Sequence, residues 1–236
     1  MVAEQREEIP LTKLLEAILP YQSSIYVTVL NIIQCIALAF LINESKDIII
    51  RDELSLAWAL RSAVALAIIL VIWHRYISES QYLWPMSWLD TLIPFSIGIT
   101  ECVIIFSTNT KTISLYGFVW SITILQILVT FAYGYAYSKR KMKVTEKLYQ
   151  SVYVNRPQFV SNLLNFLRNY DRGNTRRIGF FLEISCVFII LIKFLPNNVY
   201  AILFPITYLI IMLQGEVFHG FYKSLKKDML VGPYFQ

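Results

Sequence analysis

The chain has 236 residues, of which 56% are hydrophobic, 15% aromatic and 16% charged, where a soluble domain carries about 25% charged residues. That balance excludes a solvated globule, because apolar runs near the roughly 20 residues of a bilayer-crossing helix recur along the sequence. The formal net charge is +5, and its concentration in one segment points to a membrane surface and not to nucleic acid.

The sequence therefore predicts an all-α, polytopic membrane helix bundle of six transmembrane helices, with an amphipathic cytoplasmic helix between the fourth and the fifth. Residues 1–22 are acidic and mixed, with no basic n-region before an apolar core, and read as a cytoplasmic amphipathic segment and not a secretory signal. Residues 23–137 hold the first four spans, drawn at 23–42, 54–73, 84–106 and 113–137. Residues 138–177 are a basic loop, 178–218 hold spans five (178–195) and six (199–218), and 219–236 form a tail. Its last residues, VGPYFQ, resemble the remnant of a cloning or protease site and are set aside.

The first span, SSIYVTVLNIIQCIALAFLI, carries Ser24, Thr28, Asn31 and Gln34 or Cys35 at steps of three and four, hence on one helical face. Amides face lipid at a cost, so this stripe is expected against protein or along a wet path. Interhelical hydrogen bonds, of about 0.6–2 kcal/mol each, and a pore lining both account for it. In the second case Ile36 and Leu38 follow the stripe as an apolar constriction.

The second span holds Arg61 and closes on Trp73, His74 and Arg75; the third holds Asp90 and Glu101. A charge at the centre of a span costs about 2.5–3.5 kcal/mol on insertion scales. Counted from the ends of their spans, Arg61 and Glu101 lie at similar depth, and an Arg61–Glu101 ion pair is expected. Asp90 is expected to reach His74 or Arg75 in a polar cluster at the cytoplasmic edge. Pro94 and Pro205 interrupt spans three and six. Cys35, Cys102 and Cys186 all fall in apolar runs without the spacing of a metal site or disulfide framework, and read as small buried hydrophobes.

FAYGYAYSKRK closes the fourth span with Tyr133, Tyr135 and Tyr137 before basic residues, the pattern of an aromatic belt with a cationic anchor. Ten of the chain's 21 Lys and Arg follow in residues 139–177, against Glu146 and Asp171. By the positive-inside rule this loop is cytoplasmic, and six spans then place both termini with it. Within it Phe159, Leu163, Leu164, Leu167 and Tyr170 share a face, with Asn155 and Pro157 as a start signal and Gly173 as a stop. This basic amphipathic helix suits the anionic inner leaflet of the bilayer or a cytoplasmic protein partner docking at 139–177.

Enzyme chemistry is thinly represented. The histidines are His74 and His219, and no HExxH, GxSxG or phosphate-cradling glycine loop occurs. No catalytic residue, metal or cofactor is expected.

The order of features resembles the bacterial and lysosomal six-helix potassium-channel family marked by an FSD motif in its first helix. The resemblance rests on Trp73 and His74 closing the second span, on LWPMSWLDTLIPFSIGITE with Pro94, Phe95 and Glu101, on LYG opening the fourth span, and on RRIGFFLEISCVFIILIKF before a proline-containing sixth. The FSD triplet itself is absent, with Val29, Leu30 and Asn31 in the nearest register. The resemblance implies a homo-tetramer whose first helices line a cation pore, here with Thr28, Asn31, Gln34, Cys35, Ile36 and Leu38. The reading from another class is a membrane-anchored interaction or effector protein that recruits a partner through its basic loop. Either places the chain in the cell membrane as a multi-pass protein.

Orientation is testable in a variant lacking the three native cysteines. A cysteine at Ser45 should react with an impermeant thiol reagent added to intact cells and one at Ser151 should not; the opposite pattern refutes a cytoplasmic loop.

Overall fold

A computed structural model describes residues 11–79, 88–109, 114–155 and 157–230, and these form seven α-helices with no strand. They are α1 (Leu11–Ile50), α2 (Leu56–Glu79), α3 (Trp88–Phe106), α4 (Leu115–Ala136), α5 (Lys139–Val152), α6 (Pro157–Leu191) and α7 (Asn197–Leu230). Segments of five of them, Tyr26–Ile50, Leu56–Ile77, Trp88–Phe106, Leu115–Ala136 and Asn197–Val217, are long and apolar enough to cross a membrane. The chain is thus a multi-pass membrane protein by length and composition.

Local chemistry sets the helix starts. The first N–H groups of a helix lack intrahelical partners, and serine side chains take them up: Ser55 Oγ accepts from the Trp58 amide at 3.2 Å, Ser114 Oγ from Gly117 at 3.3 Å and Ser138 Oγ from Lys141 at 3.4 Å. Pro157 opens α6, where its missing N–H costs nothing. Between α1 and α2 the chain reverses through Asp52 at φ 54°, a left-handed conformation that Asp tolerates better than most residues. Pro94 and Pro205 both lie inside continuous helices.

Several expectations are corrected. Residues 11–22 are not a separate segment but the first turns of α1; residues 1–10 and 231–236 lie outside the described residues. The amphipathic helix and the fifth span are one helix, because α6 runs through Gly173. A glycine inside a helix costs only about 1 kcal/mol relative to alanine, too little to stop a helix whose flanking turns are both packed. The basic loop also contains a helix that the sequence reading passed over, α5, which buries Met142 and Tyr149. The cysteines are not buried: Cys35 and Cys186 are exposed and Cys102 half-buried, so their apolar runs turn these positions outward.

Packing follows a closed circuit. Going round, α1 packs on α2, α2 on α7, α7 on α6, α6 on α4, α4 on α3 and α3 on α1. The enclosed core is aliphatic and aromatic, with Ala37, Val64, Ile69, Ile104, Phe118, Ile122 and Phe204 all but inaccessible. A second, smaller core lies between α5 and the first half of α6, built from Met142, Tyr149, Val160, Leu163, Leu164 and Leu167. Tyr133 and Tyr137, stacked with ring centroids 6.1 Å apart, pack against it. Two of the three expected belt tyrosines therefore join the bundle to this unit.

At Gly98 the α3 backbone lies directly against α1. A Cβ built there would collide with Ile33 Cγ2, a branch held stiffly on its helix. Gly98→Ala should therefore cost about 1–3 kcal/mol through overpacking, read as a lowered melting temperature of the purified protein. Removing the Ile33 branch with Ile33→Ala in the same chain should recover part of that loss; no recovery would show that the clash lies elsewhere.

Candidate functional site

Polar side chains meet at three levels of the bundle. α1 turns Gln34 toward its neighbours at the middle level and Asn31 closer to the edge near the basic loop. Trp73 Nε1 donates to Asn31 Oδ1 at 2.8 Å, tying α2 to α1. Gln34 Nε2 donates to Glu101 Oε2 at 3.1 Å, tying α1 to α3. Gln34 and Glu101 are each only 1% exposed, and in each the other oxygen, Oε1, is buried without a partner. Across the bundle Gln126 Nε2 donates to the Tyr208 hydroxyl at 3.0 Å, joining α4 to α7. The sequence reading missed that pair; a glutamine inside an apolar run was its signal.

The six residues proposed to line a path do not share one environment. Asn31 and Gln34 point into helix seams and are hydrogen-bonded there, Leu38 is half-buried, and Thr28, Cys35 and Ile36 lie on the exposed side of α1. The amides thus serve as interhelical bonds in the single chain.

The expected Arg61–Glu101 ion pair is not formed. Arg61 is 2% exposed, yet its Nε and Nη1 have no partner, while Glu101 is held by Gln34. Helix register explains the miss. The antiparallel pairs Asn31–Trp73 and Tyr26–Tyr76 put Arg61 level with residues 41–43 of α1. The parallel pairs Gln34–Glu101 and Ile33–Gly98 put Glu101 level with residues 34–36. At 1.5 Å per residue the two charges are about 7–13 Å apart along the axis. Counting depth from span ends fails because α1 and α2 run on beyond the level at which α3 stops.

At the edge near the basic loop the expected cluster of His74, Arg75 and Asp90 resolves into two clamps. Glu216 of α7 takes both His74 Nδ1, at 3.3 Å, and Arg75, whose Nε and Nη2 donate to Oε1 at 3.0 and 2.8 Å. Arg75 Nη1 also donates to Asn174 Oδ1 at 3.2 Å, so one guanidinium fastens α2, α6 and α7. Asp90 does not join them: Lys141 of α5 donates to both of its oxygens, with Nζ 4.5 Å from the centre of the Tyr135 ring. Glu216 was legible as a carboxylate near the end of an apolar run. Lys141 was hidden among ten basic residues.

Among the described residues no group of three or more His, Cys, Asp or Glu comes together as a metal site would require. What the middle level offers chemically is narrower: a buried carboxylate with one bonded and one open oxygen, beside an amide with an open carbonyl. Compared with protein-family models, with curated proteins and with solved structures, the chain matches none.

Two double-mutant cycles on thermal stability separate these contacts. Gln34→Ala and Glu101→Ala should be coupled by about 0.5–2 kcal/mol, whereas Arg61→Ala and Glu101→Ala should add to within about 0.5 kcal/mol. Strong coupling in the second cycle would restore the ion pair.

Proposed function

We propose that the chain is a membrane protein of six crossings that conducts a small cation along the seam between α1 and α3, past Gln34 and Glu101. The observation that carries this reading is the Glu101 carboxylate, fully covered by protein, within a membrane-spanning helix, and bonded at only one oxygen. An ionisable group at that depth is costly, and such groups mark ion pathways. The walls of the seam, Leu30, Ile33, Ile97, Ile104 and Ile105, are apolar enough to hold water out until the helices separate, as in a dewetting gate.

The sixth crossing is the second half of α6. Asn174 stands level with Arg75 and Glu216, and fourteen residues on the Phe188 carbonyl accepts from the Tyr200 hydroxyl at 2.8 Å. Between those points α6 rises about 21 Å alongside α7, which descends about 24 Å from Tyr200 to Glu216. A helix of 35 residues is about 52 Å long and overruns a hydrocarbon core of about 30 Å. Its basic first half then lies with α5 on the cytoplasmic side, with both termini. By the resemblance to the potassium-channel family, the protein assembles as a homo-oligomer.

A second reading is favoured by one observation: α5 and the first half of α6 share a core of their own. That unit makes a basic cytoplasmic platform, and a membrane-anchored interaction protein that recruits a partner there is the alternative.

Flux into vesicles separates the two. Purified protein in liposomes should pass potassium, sodium or protons faster than empty vesicles, and Glu101→Gln, which keeps shape and removes charge, should lower that flux at least tenfold with the fold intact by melting temperature. Wild-type vesicles no leakier than empty ones, or an unchanged Glu101→Gln flux, would refute conduction past Glu101.

A further inference from the structure

Four polar atoms at the start of α2 lack partners: Trp58 Nε1, Arg61 Nε, Arg61 Nη1 and Ser62 Oγ. All four are buried, and they lie on residues spaced i, i+3 and i+4, which share one helical face. Arg61 is the most enclosed, at 2% exposure. Six other hydroxyls of the spans are bonded within their own helix, while Ser185 Oγ of α6 shares with Ser62 the lack of a partner. Ser45, Ser96, Thr100, Ser121, Thr123 and Thr130 each donate to the carbonyl four residues back, but Ser62 Oγ bonds to nothing.

The chemistry of the set is one-sided. Three of the four atoms are N–H donors, the fourth is a hydroxyl, and the set carries a full positive charge that no carboxylate of the described residues neutralises. The position adds to this. These residues occupy the first two turns of a 24-residue helix, where the backbone dipole places positive potential and anions settle. A buried guanidinium without a counter-ion is strongly unfavourable, so the arrangement has its complement in an anion of several acceptor oxygens.

We propose that Trp58, Arg61 and Ser62 form a binding site for a phosphate oxyanion at the end of the bundle away from the basic loop. Arg61 supplies the charge and two donors, and the Trp58 indole and Ser62 hydroxyl complete the cradle. The site is separate from Glu101, so it stands or falls independently of conduction. A phosphate group reaches that level from solution or on the headgroup of an anionic phospholipid.

The test uses the full chain in nanodiscs and reads melting temperature. Inorganic phosphate added to phosphatidylcholine discs at constant ionic strength, and phosphatidylglycerol built into the discs, are the two arms. Stabilisation in the first identifies free phosphate and in the second a lipid headgroup; either supports the site if the variants follow. Arg61→Met, which removes the charge and keeps the volume, should abolish the response. Trp58→Phe and Ser62→Ala, which delete one donor each, should weaken apparent affinity several-fold while leaving the fold intact. No stabilisation in either arm, or a response that survives Arg61→Met, overturns the proposal.

Discussion

The contact between α1 and α3 at Gly98 sets the geometry of everything around it. With no Cβ on Gly98, the Ile33 branch seats directly against the α3 backbone, and the two helices run close enough for Gln34 to reach Glu101. That register carries upward to Phe40 and Phe106, whose rings meet edge to face at 5.4 Å. It carries downward as well: with α1 fixed on α3, Asn31 faces Trp73 and fixes α2. The α2 helix in turn holds α7 through Arg75 and Glu216. In lipid there is no hydrophobic drive for helices to associate, so small residues and interhelical hydrogen bonds set the packing.

How much of this was legible depends on the range of the interaction. The spans at 113–137 and 84–106 match α4 and the end of α3 closely, because length and apolarity are local properties. Pro157 was a legible start for the same reason. The fusion of the amphipathic helix with the fifth span was not, since Gly173 stops a helix only when the turns around it are unsupported. The partner of Glu101 was illegible for a deeper reason. It depends on the axial register of α2 against α3 through α1, set by Gly98 and Trp73, which no single span reveals. The stripe of the first span was read as facing either protein or a wet path; Asn31 and Gln34 meet side chains of neighbouring helices while Thr28 and Cys35 are exposed, a division that spacing along one helix does not reveal.

The bundle holds its two ends differently. Near the basic loop, charged side chains make two clamps, Glu216 with His74 and Arg75, and Asp90 with Lys141, and the α5–α6 core seals them through Tyr133 and Tyr137. The opposite end is joined by neutral bonds such as Tyr200 to the Phe188 carbonyl, and its one buried cation, among the described residues, is Arg61. An opening that begins there has less to break. Charged clamps near the basic loop and neutral bonds at the other end leave that second end with the weaker joints.

Arg61 and Glu101 do not act as one diffuse ion pair, and magnitudes show why. At about 10 Å, with an effective dielectric constant of about 20, opposite unit charges attract by about 1.7 kcal/mol. Burying each costs several kcal/mol before any partner is counted. Their mutual attraction therefore offsets only a fraction of the cost, and side chains kept apart by helix register cannot close the gap without moving α2 along α1. Each charge needs its own compensation. For Glu101 the Gln34 amide supplies one hydrogen bond and leaves an oxygen free, which in the conducting reading proposed above is the atom a cation would meet. For Arg61 the free atoms are all donors or hydroxyl, which suits an anion that stays. Two opposite charges within one bundle, too far apart to quench each other, are what such a pair of separate sites requires.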